Sequence, residues 1–353
     1  MKIASVSSSF PATRYHQSQV TEAFRNYWGE RLENPELLSR LHSRTGVQYR
    51  HFAFSIPEYA QLQNFGQSNR AWLQVAQALG EQAIDGALAA SGLQRRDLDA
   101  LFVVSVTGIA SPSLDAHLIN RMQLRTDLKR TPIFGLGCVA GAMGLTRAAD
   151  YVLAYPKQTA ALLSVELCSL TMQLDDLTMP NFIGTGLFGD GAAAAIVVGA
   201  DRTTEGRPDG PSILATRSVF YPSTEEIMGW DISEKGFRLV LSAELPDLIR
   251  CRLLADVDKF LDDHGLRRGD IGNWVIHTGG PKILQAIQET LELDDRALEL
   301  SWDSLARFGN LSSASILLVL EDTITKRRPA PGTLGLMLAM GPGFCSELLL
   351  VRW

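Results

Sequence analysis

The chain matches itself. Gly92-Leu-Gln-Arg-Arg-Asp-Leu-Asp-Ala-Leu-Phe-Val-Val104 aligns with Gly265-Leu-Arg-Arg-Gly-Asp-Ile-Gly-Asn-Trp-Val-Ile-His277 at an offset of 173 residues. Each segment follows an amphipathic run, Trp72–Ser91 in one case and Pro246–His264 in the other. At an offset of 172, Leu136-Gly-Cys-Val-Ala-Gly-Ala142 meets Phe308-Gly-Asn-Leu-Ser-Ser-Ala314, and both open helical patterns, Cys138–Leu153 and Asn310–Thr325. The strand pattern Ala161–Glu166 then faces Thr333–Leu338, and runs starting at Gly189 and Gly343 each give a final apolar strand. Matches in the same order at similar offsets indicate two copies of one α/β unit. The copies are expected over residues 1–205 and 206–353, joined through the Gly- and Pro-containing stretch Gly199–Pro211.

Within that frame, Met1–Ser8 reads as a strand, followed by a turn at Pro11 and helical patterns around Gln17–Tyr27 and over Asn34–Ser43. Trp72–Ser91 ends at Gly92, as a helix stop should. Leu101–Val106 and Pro132–Leu136 read as buried strands. Alternating strands and helices predict a mostly parallel sheet with helices on its faces.

Composition narrows the function. A hydrophobic fraction of 46% with 20% charged residues describes a globular chain with a substantial core. Net charge is −6 and no basic run occurs, which argues against a nucleic-acid partner. The start lacks the long apolar core of a signal peptide, and no segment approaches the ~18 apolar residues of a membrane span. Four scattered cysteines, at 138, 168, 251 and 345, fit neither a metal site nor a disulfide framework. They suit a reducing cytoplasm.

Cys138 is the first candidate for chemistry. A thiol at a helix start feels the positive end of the helix dipole and unpaired N–H groups, which favour thiolate; the plain alternative is a buried structural cysteine. The duplication places Asn310 at the equivalent helix start of the second copy. His277 ends the strand Trp274-Val-Ile and precedes Thr278-Gly-Gly-Pro281, at the strand end where ligands collect in open α/β sheets. His16, His42, His51, His117 and His264 have no comparable setting and read as surface or structural. A Cys, a His and an Asn serve two chemistries. In a hydrolase, His activates Cys and Asn orients His. In a decarboxylating condensing enzyme, Cys carries an acyl group while His and Asn bind the carbonyl oxygen of a second thioester. Spacing alone does not choose between them.

Five motifs bear on that choice: Phe134-Gly-Leu-Gly-Cys-Val-Ala-Gly141, Leu187-Phe-Gly-Asp-Gly-Ala-Ala193, His277-Thr-Gly-Gly-Pro-Lys-Ile283, Gly309-Asn-Leu-Ser-Ser313 and Gly341-Pro-Gly-Phe344. Together they resemble type III polyketide synthases, the chalcone synthase-like family, in the family's order and from near Met1 to Trp353. Val165-Glu-Leu-Cys-Ser-Leu170, Met228-Gly-Trp-Asp231 and the segment Leu336–Cys345 look most like the bacterial alkylpyrone and alkylresorcinol synthases. Ketoacyl synthase III relatives share the Cys–His–Asn logic but normally lack Gly-Gly-Pro after the histidine.

The resemblance implies a thiolase-like fold of the α/β class, two duplicated halves in a five-layer αβαβα arrangement, and a homodimer. It implies Cys138 as the acylated nucleophile, kept as thiolate partly by His277, with His277 and Asn310 binding the thioester carbonyl. Phe188 matches the phenylalanine between acyl-CoA tunnel and reaction cavity, and Arg40 and Arg44 match cationic positions that hold CoA phosphates. Thr171 and Ser312 match positions that shape the cavity, and Glu166 would lie near it. Two positions depart from the family pattern. The second gatekeeping phenylalanine aligns with Leu239, and the cross-dimer methionine of plant members aligns with Ser111. Both changes favour a long aliphatic starter. The expected reaction loads a fatty acyl-CoA and extends it with malonyl-CoA to an alkyl α-pyrone. An alkylresorcinol, a single-round ketoacyl synthase and a cysteine hydrolase are the alternatives. CoA thioesters serve as substrates, and neither metal nor tightly held cofactor is expected.

Overall fold

Local signals set the element ends. Asn34 and Asn64 accept hydrogen bonds from the N–H of Leu37 and Gln67, each at 3.0 Å, and so cap two helices. Gly92 closes the second of these in the left-handed region at φ 71°. The structure is a computed structural model that describes residues 1–202 and 210–353. The boundary expected between residues 205 and 206 lies outside the described residues.

The first half contains β1 (Lys2–Ser9), β2 (Thr13–His16), α1 (Gln17–Trp28), α2 (Pro35–Ser43), β3 (Tyr49–Phe52) and α3 (Phe65–Ser91). It continues with β4 (Ala100–Val104), α4 (Leu114–Met122), β5 (Lys129–Ile133), α5 (Ala140–Ala154), β6 (Thr159–Leu167), α6 (Met179–Leu187) and β7 (Asp190–Val198). The second half contains β8 (Ser212–Phe220), β9 (Met228–Ser233), β10 (Gly236–Leu241), α7 (Leu245–Asp262), β11 (Asn273–Ile276) and α8 (Pro281–Leu291). It ends with α9 (Glu299–Phe308), α10 (Ser315–Asp322), β12 (Leu334–Gly341) and β13 (Cys345–Arg352).

Nine strands run in the order β11-β12-β13-β8-β1-β7-β6-β4-β5. Read outward from the β8/β1 junction, where Lys2 pairs with Ser212, each side repeats one order: β8-β13-β12-β11 and β1-β7-β6-β4. The duplication is therefore structural. Successive strand residues point to opposite faces. In β6, Leu162 packs with Phe102, Val104 and α5, while Ala161 and Leu163 pack with α3 and α4. In the second half, Met337 and Leu349 join the cluster that holds α5 and α10, while Leu336, Leu338 and Leu350 pack against α7 and α8. The layers are thus α3/α4, sheet, α5/α10, sheet and α7/α8: the five-layer α/β arrangement.

Two expectations change. The sheet is mixed, because only β4–β5, β4–β6 and β11–β12 are parallel, whereas β1–β7, β6–β7, β8–β13, β12–β13 and β1–β8 are antiparallel. A crossover helix forces parallel pairing, but the tight turn Gly341–Phe344 between β12 and β13 forces the reverse. Nor is Pro132–Leu136 a buried strand: β5 ends at Ile133, lies at the sheet edge and exposes Lys129 to Pro132. Proline has no N–H to donate, so it belongs on such an edge.

Between the sheets, α5 and α10 approach so closely that a Cβ on Gly141 would lie well inside van der Waals distance of the Ser313 carbonyl oxygen. Gly141→Ala should therefore lose about 1–3 kcal/mol. A urea-unfolding midpoint equal to wild type would contradict this packing.

Candidate active site

Two glycines set two of the functional side chains. Gly137 has φ 54°, and a Cβ there would meet Pro342 at 2.6 Å; Gly309 has φ 75°, and its Cβ would meet the Leu187 carbonyl oxygen at 2.7 Å. Only glycine fits both the dihedral and the space. Each is followed by a functional residue and, within three residues, by a short turn leading into α5 or α10. Cys138 is 6% exposed, and its Sγ lies 3.6 Å from Ser312 Oγ. The Asn310 N–H donates to Leu187 O at 2.9 Å, and its carbonyl accepts from Gly189 N at 3.0 Å. Its side-chain Oδ1 accepts from Ser312 N at 2.8 Å, which leaves Nδ2 as the free end; Nδ2 donates to Gly279 O at 3.4 Å. Gly279 N in turn donates to His277 O at 3.0 Å, and His277 N donates to Leu338 O at 3.0 Å. Through Ser312, Asn310 and Gly279 one continuous set of contacts joins Cys138, Asn310 and His277, the residues that the sequence brought forward. Cys138 comes from the first half and the other two from the second.

Burial governs the charges. The Cys138 thiol is pushed up to about 12, chiefly by desolvation, with the Ser312 hydroxyl acting the other way and the Glu166 carboxylate adding to the rise. Desolvation brings His277 down to about 4, and neither ring nitrogen has a hydrogen-bond partner among the described residues. Burial thus opposes the preference for thiolate that the helix start supplies. Taken singly, each group stays neutral. A proton passed from Cys138 to His277 creates two charges that compensate one another, and the low dielectric strengthens that attraction. Hydrogen-bonding capacity left unused on a buried imidazole and a buried amide is capacity for a reacting oxygen.

Glu166 is fully buried behind this set. It accepts from Ser313 Oγ, from Thr107 Oγ1 at 2.9 Å and from Val106 N at 3.1 Å, and desolvation still raises it to about 7. Ser313 Oγ also meets Ser164 Oγ at 2.6 Å. Ser312 takes the left-handed conformation at φ 47° beside the thiol. Phe188, half-buried, caps α6 and pairs with Asn310 through a backbone bridge. Leu239 of β10 adjoins it: a Cβ on Gly184 would lie 2.9 Å from Leu239 and 3.6 Å from Phe188. Thr171 is buried and donates to Cys168 O at 2.8 Å. It opens onto a cavity of about 520 Å³ bounded by Thr107, Tyr59, Phe65 and Phe237. Cys138, His277 and Asn310 are not among the residues bounding that cavity, whereas Thr107, which donates to Glu166, is.

Arg40 and Arg44 are exposed on α2 and at its end, with no ion pair among the described residues. Helix α2 packs on α6 through His42, whose Nε2 lies 3.2 Å from Phe182 O. His42 is buried and held near 3, chiefly by desolvation, as a structural histidine. Ser111 is exposed. Sequence reasoning missed Thr107, Ser313 and Arg50. Ser313 sits inside a quoted motif, whereas nothing local marks Arg50, whose partners lie far away in sequence. Among the described residues no group of three His, Cys, Asp or Glu side chains could hold a metal ion, and no helix is long and apolar enough to cross a membrane.

The profile for the N-terminal domain of chalcone and stilbene synthases matches residues 2–202, and that for the C-terminal domain matches residues 212–353. The 1,3,6,8-tetrahydroxynaphthalene synthase of Streptomyces peucetius subsp. caesius is 52% identical over 351 residues, covering 99% of this chain and 93% of the relative. The phloroglucinol synthase of Pseudomonas fluorescens is 31% identical over 346 residues, covering 98% and 97%. Among solved structures, the 1,3,6,8-tetrahydroxynaphthalene synthase of Streptomyces coelicolor A3(2), described as a bacterial type III polyketide synthase, superimposes with a TM-score of 0.94 at 31% identity, over 100% of this chain and 99% of that one. The chain belongs to the chalcone and stilbene synthase family, the type III polyketide synthases.

Proposed function

We propose that this polyketide synthase primes on malonyl-CoA and extends with malonyl-CoA to a tetrahydroxynaphthalene-type aromatic. The observation that carries this reading is the 52% identity, spread over 99% of the chain, with a 1,3,6,8-tetrahydroxynaphthalene synthase. That compound has ten ring carbons and hydroxyls at alternating positions. Five two-carbon units account for it with one loss of CO2 each, and it carries no alkyl tail.

Cys138 passes its proton to His277 as sulfur attacks the starter thioester, and the proton leaves with CoA. A malonyl thioester then places its carbonyl oxygen against a ring N–H of His277 and the amide of Asn310. Loss of CO2 puts negative charge on that oxygen, and one such donor contributes about 2.7–4 kcal/mol. The enolate carbon attacks the Cys138 thioester, and the departing thiolate is ready for the next transfer. A neutral imidazole serves both steps, as acceptor in loading and as donor in condensation. Phe188 and Leu239 would border the entrance, Arg40 and Arg44 would hold the CoA phosphates, and Thr171, Ser312 and Glu166 would shape the cavity. A homodimer that works on CoA thioesters without a resident cofactor completes the proposal.

A long-chain acyl starter, ending in an alkylpyrone or alkylresorcinol, is the second reading. A flexible Leu239 beside Phe188 and the apolar cavity of about 520 Å³ beyond Thr171 favour it. Against it, the product named for the relative that is 52% identical, 1,3,6,8-tetrahydroxynaphthalene, has no alkyl tail.

With malonyl-CoA as sole substrate, mass spectrometry should find a ten-carbon naphthol and about one CO2 per CoA released. A requirement for added lauroyl-CoA, with a pyrone as product, would replace this reading with the second. A single β-keto product would point to a ketoacyl synthase, and free acid without CO2 to a hydrolase. Separately, His277→Ala should slow iodoacetamide alkylation of Cys138 at pH 7 by about 10-fold or more, because a buried thiolate loses its counter-charge. Alkylation at the wild-type rate would contradict the pairing.

A further inference from the structure

Arg50 lies on β3, fully buried, outside every motif of the family resemblance. Its Nη1 donates to the carbonyl of Phe188 at 2.8 Å, and its Nη2 donates to Gln17 Oε1 at 2.8 Å. Gln17 turns its own amide to Gly186 O at 2.7 Å, to His42 O at 3.1 Å and to Thr45 Oγ1 at 3.2 Å. The neighbouring charge is Asp190, whose carboxylate accepts from Ala53 N at 2.7 Å, from Ser169 N at 2.8 Å and from the Ser169 hydroxyl. One guanidinium and one amide therefore hold the carbonyls of Phe188 and Gly186 from one side. From the other side the same segment holds Asn310, through Asn310 N to Leu187 O at 2.9 Å and Gly189 N to Asn310 O at 3.0 Å. Gly189 is wedged between these partners: a Cβ there would meet Arg50 Cβ at 3.2 Å and overlap the Phe308 carbonyl oxygen.

A buried guanidinium is costly unless its hydrogen bonds are made; here one ends directly on the strip, at Phe188, and the other reaches the strip through Gln17, which donates to Gly186, while Nε has no partner among the described residues. We infer that Arg50 is a positioning residue for decarboxylation: through the Gly186–Gly189 strip it fixes where the Asn310 amide stands relative to the malonyl thioester oxygen. This rests on the assignment of Asn310 as a carbonyl donor. Misplacement of a donor by a fraction of an ångström weakens binding of the developing enolate more than binding of the ground state. Arg50 touches neither Cys138 nor the acyl group, so loading is spared.

Arg50→Lys keeps the charge but cannot fork to two separate acceptors. In that variant, kcat for CO2 release from malonyl-CoA should fall about 10-fold, with KM moved less, while loading of Cys138 by acyl-CoA, read by intact-protein mass spectrometry, stays within about 3-fold of wild type. In an Asn310→Ala background the same change should alter CO2 release by less than about 2-fold, because the donor it positions is gone. Equal factors in both backgrounds, or no fall in the parent, overturn the inference. If Asn310→Ala alone leaves CO2 release unchanged, the donor assignment fails first and the inference goes with it. Should Arg50→Lys not fold, as judged by circular dichroism, Gln17→Met removes the tie to Gly186 and the acceptor of Arg50 Nη2 while keeping the Arg50–Phe188 bond, and the same background dependence decides.

Discussion

The approach of the helix starts at α5 and α10 is the constraint on which the rest depends. Gly141 lies against the Ser313 carbonyl, and Gly137 lies against Pro342 in the turn between β12 and β13. Any side chain at either point would push the two halves apart. The close contact lets a thiol from one half and an amide from the other share one Ser312, which meets Cys138 through its hydroxyl and Asn310 through its N–H. The central helices are lined with small residues for the same reason. Ala140, Ala142, Ala148 and Ala149 of α5 are buried between two sheets, where larger side chains would separate the layers.

The junction is dry as well as close, and dryness controls its chemistry. Cys138, His277, Glu166 and Arg50 are all withdrawn from water, and burial drives each toward its neutral form. Charge therefore arises there only in compensated pairs or against oriented donors. That condition suits a reaction that must generate an enolate and keep water from it, because each hydrogen bond to the developing charge gains strength where no solvent competes. Glu166 accepts hydrogen bonds from Ser313, Thr107 and Val106 and so ties the turn beside Cys138 to the segment that follows β4.

Much of this was legible in the sequence. The two copies share glycine punctuation and apolar strands, so their order, the equivalence of Cys138 with Asn310, and the strand-end place of His277 could be read directly. Strand direction could not be read, since a hairpin turn and a crossover leave the same apolar pattern in the strands they join. Pro132–Leu136 misled because an edge strand can be as apolar as a core one, and only its neighbours decide. The burial that opposes a thiolate at Cys138 was hidden for a related reason: a helix start is a local feature, whereas burial is a property of the finished fold. Arg50 was invisible because its hydrogen-bond acceptors lie at least 33 residues away, at Gln17 and Phe188. The three side chains proposed to react could thus be singled out from sequence, but the residues that hold them could not.

The central claim is that the two halves divide the work, the first supplying the nucleophile and the second the donors that stabilise the enolate. Release of CO2 from malonyl-CoA by Cys138→Ala tests it most directly, since that variant cannot carry an acyl group yet keeps His277 and Asn310. The account predicts continued CO2 release by Cys138→Ala and its loss, by about 100-fold or more, when Asn310→Ala is added. No release from the single variant, or equal release from the single and double variants, would contradict it.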